Sequence, residues 1–414
     1  MKLELILIKI MFFISVVGYA SDGTWANWLG PNNNGSIEKK IDFLSGPTAE
    51  FPILWVQSVG NGWSAPIVSD GIVYLHDRMH ENENLIAYNA TNGEKKWQIS
   101  YPSKYRDDFG MEDGPRSTPA VKNGLLVSHG PQGLLHAIKV EDGQKQWVYD
   151  LAKGFGSPKG FFGRCSSPLI IGDRVIVAVG GRAGMVAFSL LTGDVIWESK
   201  PYGNEYASLV PYTIGTKIFV VAFMREGLVV VDSKDGQEVF FDSFSSPIRA
   251  SVNAASPLVT NHGLFLSSCY EVGAGLWNIE DSQKMKNPTF ISKWQKQEVL
   301  DCHYSTPVSF EDCIFGFHGR QERGTVLRCI NIIDGKVMWS TSLKGTGNLI
   351  RLGTEIVCLT EHGELIIFQA KPDSFSILMR QQILGRGRAH FAYANGKIFA
   401  RDSRRLICLG ISAN

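Results

Sequence analysis

Short apolar runs recur along the chain in sets of four, separated by polar turns. In one set Ile72-Val73-Tyr74-Leu75 is followed by Leu85-Ile86-Ala87-Tyr88; in another Val175-Ile176-Val177-Ala178 is followed by Met185-Val186-Ala187-Phe188. A set opens on Ser-x-Pro or Ser-Pro, as at Ser64-Ala65-Pro66, Ser117-Thr118-Pro119, Ser167-Pro168, Ser256-Pro257 and Ser305-Thr306-Pro307. It closes on a turn pair ending in glycine, three further residues and a large aromatic: Asn92-Gly93 before Trp97, Asp142-Gly143 before Trp147, Thr192-Gly193 before Trp197, Asp235-Gly236 before Phe240, and Asp334-Gly335 before Trp339. Runs this short, rich in Val, Ile, Tyr and Phe and punctuated by Asn-Gly or Asp-Gly, predict strands joined by hairpins. No stretch of the mature chain holds a helical period.

The aromatics return at intervals of about 43 to 54 residues, the length of a four-stranded propeller blade. Units begin near Ser64, Ser117, Ser167, Ala207, Ser256, Ser305, Asn348 and Ala389, and the last runs out before a fourth strand. Pro52-Ile53-Leu54-Trp55-Val56 reads as a fourth strand without a blade of its own. The expected fold is therefore all-β: an eight-bladed β-propeller of four-stranded antiparallel blades, its ring closed by the N-terminal strand so that no edge is left unpaired. Seven blades is the alternative, because blades four and seven carry degenerate repeats. The aromatics of the fourth strands are expected to pack between blades. His129-Gly130, His318-Gly319 and His362-Gly363 each follow a second strand and are expected to serve the hairpin turns.

Composition suits one large body: 414 residues, 44% hydrophobic and 20% charged, with 43 glycines and 10 tryptophans. Residues 1–20 read as a secretory signal, with Lys2, an apolar stretch from Ile10 to Val17 and Gly18-Tyr19-Ala20 before the cleavage point. That stretch is too short to span a bilayer. A periplasmic or secreted protein follows, with a lead-in segment at 21–50 and the propeller at 51–414. Without Lys2, Lys9 and Glu4 the chain carries 39 basic and 39 acidic side chains, so no global field recruits nucleic acid or anionic membrane. The seven cysteines are scattered and make no disulfide framework. Cys329 and Cys408 fall in the slot of Ala87, Ala137 and Ala187 and read as small fillers, whereas Cys165 and Cys302 lie in loops where a functional or paired thiol has room to act.

The chain has no His-Glu-x-x-His, no Gly-x-Ser-x-Gly elbow, no phosphate loop and no metal spacing among its nine histidines. Catalytic residues are not assignable and no metal site is expected. Loops from each fourth strand to the next first strand open on one face of the ring, where function concentrates. Just before the blade starts they carry Arg116, Arg164, Arg249, His303, Arg388 and His390, with Asp107, Asp108, Glu112, Asp113 and Asp301 as partial counterweights. The arginines are expected to converge on the channel mouth and to bind a small anionic ligand or an acidic protein segment. The loops Tyr101 to Arg116 and Leu151 to Arg164 are the candidate lid or partner-contact edge.

With Trp25-Ala26-Asn27-Trp28-Leu29-Gly30-Pro31-Asn32, Asp113-Gly114-Pro115-Arg116-Ser117-Thr118-Pro119 and Ser166-Ser167-Pro168-Leu169-Ile170-Ile171-Gly172-Asp173, the repeat resembles the PQQ-binding-like β-propeller family over nearly the whole mature chain. That resemblance implies one scaffold with two kinds of use: quinoprotein alcohol and glucose dehydrogenases, and noncatalytic assembly factors of the BamB type. A dehydrogenase would need a tryptophan floor, oxygen ligands to calcium and a catalytic carboxylate; the resemblance offers Trp63, Asn253 and either Asp301 or Asp113. The adjacent cysteine pair of many alcohol dehydrogenases is missing. The preferred expectation is an exported, monomeric, noncatalytic scaffold that needs no cofactor. A dehydrogenase using PQQ with calcium is the alternative, and a carbohydrate-handling accessory protein the second.

Overall fold

The computed structural model describes residues 23–43, 50–280 and 288–412, so the signal segment expected at 1–20 lies outside the described residues. Eight sheets succeed one another along the chain. In blade one the strands Ile67–Ser69, Ile72–Met79, Asn82–Asn89 and Lys95–Pro102 pair antiparallel in sequence order, and blades two to seven repeat that order. Blade eight takes Ala392–Ala394, Lys397–Arg401 and Arg405–Gly410 from the C-terminal end and Ile53–Ser58 from the other. The ring is closed as the sequence predicts. Short first strands of neighbouring blades touch one another around the axis. Second and third strands are mostly apolar, as in Arg174–Gly180 and Ala183–Ser189, because both faces of a blade lie against a neighbour; blade one departs from this, burying His76, Asp77, Arg78, Glu83 and Asn84 at the ends of these strands. Fourth strands alternate between half-buried and exposed positions at the perimeter, as in Lys95–Pro102.

The aromatic signature has a specific geometry. Trp97 lies opposite Ala87, Trp147 opposite Ala137, Trp197 opposite Ala187, Trp339 opposite Cys329 and Trp55 opposite Cys408, and the register shifts beside each pair. Such a bulge re-aims a side chain out of its own sheet. Each indole then reaches the following blade and donates Nε1–H to a backbone carbonyl: Trp55 to Ala90 (3.1 Å), Trp97 to Val140 (2.8 Å), Trp147 to Leu190 (2.9 Å) and Trp197 to Ser233 (3.1 Å). In these four the ring covers the following blade's turn glycine, Gly93, Gly143, Gly193 and Gly236. At Gly193, φ is 76° and a Cβ would stand 2.7 Å from the Trp147 ring, so both conformation and space demand glycine. Blades four and seven look degenerate because Phe240 and Met379 fill the slot, opposite Val230 and Ile367, and neither has an N–H to donate.

All seven cysteines are free. Cys329 and Cys408 are fully buried beneath their tryptophans, where other blades accept alanine. Cys329→Ala and Cys408→Ala are each expected to cost about 1 kcal/mol or less in urea unfolding; loss of folding would mean the slot is not generic.

Two features depart from expectation. The five-residue helix Leu151–Phe155 opens the loop between blades two and three, capped by the Asp150 side chain accepting from Lys153 N–H. The lead-in segment also belongs to the propeller. Trp25 exchanges backbone hydrogen bonds with Val68 in the first strand of blade one, and Val121 of blade two donates to Ala26. Ser36–Ile37 then adds a parallel strand to Gly347–Leu352 in blade seven. Residues 24–37 thus cross the axis as a plug, with Trp25 and Leu29 almost wholly buried.

Candidate functional site: the channel mouth

A belt of hydrogen bonds at the start of the first strands runs through hydroxyls that mostly stand just before the proline of the Ser-x-Pro and Ser-Pro phrases. Ala65 N–H donates to Thr118 Oγ1 (3.1 Å), Thr118 to Ser167 Oγ (2.9 Å), Ser167 to Ser208 Oγ (2.9 Å), Ser208 to Ser256 Oγ (3.2 Å) and Ser256 to Thr306 Oγ1 (3.0 Å). In blades two to six the hydroxyl satisfies the buried N–H of the blade before it. Asn348 Nδ2 extends the belt to the carbonyls of Arg388 and Ala389. The residues just ahead of the belt are therefore held in a ring around the axis.

They enclose a cavity of about 140 Å³ to which all eight blades contribute. Trp63, Arg116 and Cys165 come from blades one to three, Tyr206, Val252 and His303 from four to six, and Asn348 and Arg388 from seven and eight. Trp28, carried in from the plug, closes the base: its Nε1–H donates to Ser256 Oγ (3.0 Å), and its ring meets His390 edge-on at 5.3 Å. The mouth is a blind pocket. Sequence reasoning missed Trp28 as part of it, because nothing local says that a lead-in segment folds back into a channel. At the far end the plug borders a wider polar hollow of about 640 Å³ beside blades four to seven.

Of the six loop residues expected at the mouth and the Trp63 and Asn253 that the resemblance offers, all eight candidates for ligand binding, five line the pocket: Trp63, Arg116, His303, Arg388 and His390. Arg116 and Arg388 both stack on Trp63, with Cζ at 4.6 and 5.0 Å from its ring. Arg116 pairs with Asp107 and donates to Phe162 O (2.6 Å) and Tyr105 Oη (3.2 Å). Arg388 approaches Glu361 through Nε at 3.4 Å. Tyr270 Oη and Gln321 Oε1 hold the ring of His303, and burial draws its pKa below the usual histidine range. Burial pulls His390 down to about 4, so it is neutral at physiological pH.

The expected convergence of four arginines is corrected to two. Arg164 is buried and spends its guanidinium on Ser157 Oγ (2.9 Å), Ser157 O and Pro131 O (3.2 Å), bracing the loop that follows the helix. Arg249 is exposed and off the cavity wall. Asn253 is also not a wall residue: its Nδ2 donates to Met224 O and its carbonyl accepts from Tyr206 and Ala207 N–H. Arg78, which the sequence did not single out, braces the other long loop through Tyr105 O (2.7 Å), Asp113 O (2.9 Å) and Ser103 O (3.0 Å). His129 ends a second strand as expected but acts as a tie between blades, donating from Nδ1 to Ser166 O. Burial pushes the Cys165 and Cys302 thiols up to about 12, which leaves them protonated and poor nucleophiles.

The wall does not suit calcium with a quinone. Calcium takes six to eight oxygen ligands, carboxylates foremost, yet none of the described residues lining the mouth is Asp or Glu. No group of three or more His, Cys, Asp or Glu among the described residues is placed to hold a metal. Asp301, which burial pushes up to about 6, and Asp113, which accepts from Asp107 N–H, both stand off the wall.

A family model described as outer membrane protein assembly factor BamB matches residues 52–240 and, overlapping, 104–304. The chain belongs to that family. It is 27% identical over 188 residues to the outer membrane protein assembly factor BamB of Yersinia pestis, covering 44% of each chain. To that of Burkholderia pseudomallei it is 26% identical over 257 residues, covering 59% of this chain and 60% of the relative. The matches thus span about half the length of these curated relatives. Among solved structures, BamB from Moraxella catarrhalis has a TM-score of 0.61 at 16% identity, covering 88% of this chain and 99% of its own. The quinohemoprotein alcohol dehydrogenase from Comamonas testosteroni has 0.67 at 12%, covering 96% and 82%. At such identities the likeness shows the propeller fold alone. No helix among the described residues is long and apolar enough to cross a membrane.

Proposed function

We propose that the protein is an exported, noncatalytic scaffold of the cell envelope that contributes to outer membrane protein assembly through its mouth-bearing face. One observation carries this reading. Beside the mouth, Phe109 is 63% exposed, with Met111 and Phe161 also exposed; Phe109 lies 6.0 Å from Phe161 and 5.4 Å from Phe162. These side chains come from two loops, braced by Arg78 and Arg164. A preordered exposed aromatic patch loses little entropy on docking and suits a protein contact. The names of the family and its relatives supply the process, and the wall chemistry argues against quinone catalysis.

In cells lacking the protein, the wild-type chain should restore outer membrane protein levels, whereas the Phe109→Ser, Phe161→Ser double variant should not, although it accumulates and melts normally. Full restoration by that variant would remove the patch from the function, and failure of the wild-type chain to restore those levels would refute the assembly role.

A further inference from the structure

The mouth presents two arginines, each paired from behind the wall with one carboxylate, Arg116 with Asp107 and Arg388 with Glu361, while no Asp or Glu among the described residues lines the cavity itself. Arg388 lies between Trp63 and Tyr304, 5.0 and 5.7 Å from their rings. Only its Nε is engaged, by Glu361 at 3.4 Å, so neither Nη has a protein acceptor among the described residues. Arg116 stacks on the same Trp63, and its Nε–H is buried without an acceptor. The remaining wall is largely aromatic, with Trp28, Phe162 and Tyr206.

We propose that the mouth binds a carboxylate carried on an apolar body about the size of one ring. The two Nη groups of Arg388 form a planar fork that matches the two oxygens of a carboxylate, and stacking on Trp63 fixes the plane of that fork. A neutral amide would offer that fork one acceptor oxygen in place of two and no charge. The aromatic walls favour a ring over a strongly hydrated inorganic anion, and a dry cavity of about 150 Å³ is known to accept benzene, close to the volume found here. The assignment rests on the reading of this face as the binding face. The carboxylate has two sources: a free aromatic acid, or a residue of a docked polypeptide.

Tryptophan fluorescence and calorimetry on the purified mature chain test this with phenylacetate, phenylacetamide, and a tripeptide ending in phenylalanine with a free or an amidated terminus. Both carboxylates should bind saturably and more weakly as salt rises, and both amides at least about tenfold more weakly. Arg388→Gln should weaken carboxylate binding about ten- to hundredfold, while Arg249→Gln, off the wall, should leave it unchanged. Tighter binding of the free-terminus tripeptide than of phenylacetate assigns the site to a polypeptide; equal or weaker binding assigns it to a free acid. Equal affinity for acid and amide, absence of saturation with either carboxylate, or indifference to Arg388→Gln would overturn the proposal. Loss of this binding while Phe109 and Phe161 still govern restoration in cells would sink the ligand alone. The reverse would sink the scaffold reading alone.

Discussion

Deleting residues 23–58 should leave a chain without a cooperative thermal transition. The deletion removes the strand Ile53–Ser58 that pairs with Arg405–Gly410, and it uncovers the plug's contacts with blades one, two and seven. Trp25, Leu29, Ile37, Phe51 and Trp55 are all buried. At roughly 1.5–3 kcal/mol for each large apolar side chain returned to water, the five together reach about 10 kcal/mol, comparable to the whole stability of a folded domain. Two exposed strand edges add a route to aggregation. Trp55→Ala alone keeps the strand but loses the indole and its bond to Ala90, and should cost about 3–5 kcal/mol. Circular dichroism on heating reads both; a full-length melting temperature in the deletion would show that the ring closes without this segment.

Mild acid should weaken the propeller while most of its carboxylates are still charged. Burial pulls His129, His136 and His390 down to about 4 from an ordinary value of 6.5. His129 is tied to Ser166 O, and His136 lies 4.2 Å from the Tyr101 ring. The unfolded chain takes up protons near pH 6.5, whereas the folded chain resists until about 4. The contribution of these three rings is therefore fully present above pH 6.5 and falls as pH drops towards 4, by on the order of 1–2 kcal/mol for each histidine by pH 5, offset in part by Asp301, whose raised pKa stabilises the folded state as pH falls through about 6. Urea unfolding at pH 7.5 and pH 5 should show this loss with an unchanged slope, and His136→Phe should remove about a third of it. Equal stability at both pH values would mean that these rings accept protons in place.

Architecture was legible because every blade solves the same packing problem with the same residues. The glycine turn, the bulge and the covering indole repeat, so Trp97, Trp147 and Trp197 announce themselves, and Cys329 and Cys408 can be placed by the alanines they replace. The orphan phrase around Trp55 gave away ring closure for the same reason. What the repeat does not encode could not be read. Trp28 reaches the mouth only because residues 24–37 thread the channel, a contact with Ser256 set by no local pattern. Proximity to a blade start predicted that Arg116 and Arg388 would meet. It could not reveal that Arg164 turns away to satisfy loop carbonyls, since that depends on where Pro131 and Ser157 fall in three dimensions. The Ser-x-Pro phrase was visible, but its role as an inter-blade belt emerged only when successive blades stood side by side.

The most direct test of a noncatalytic scaffold is turnover by the purified protein supplied with PQQ and calcium, an artificial electron-accepting dye, and a panel of alcohols and sugars. A mouth wall without a carboxylate to ligate calcium or take a substrate proton predicts dye reduction no faster with substrate than without it. Substrate-dependent reduction that saturates and disappears when calcium is chelated would contradict the account.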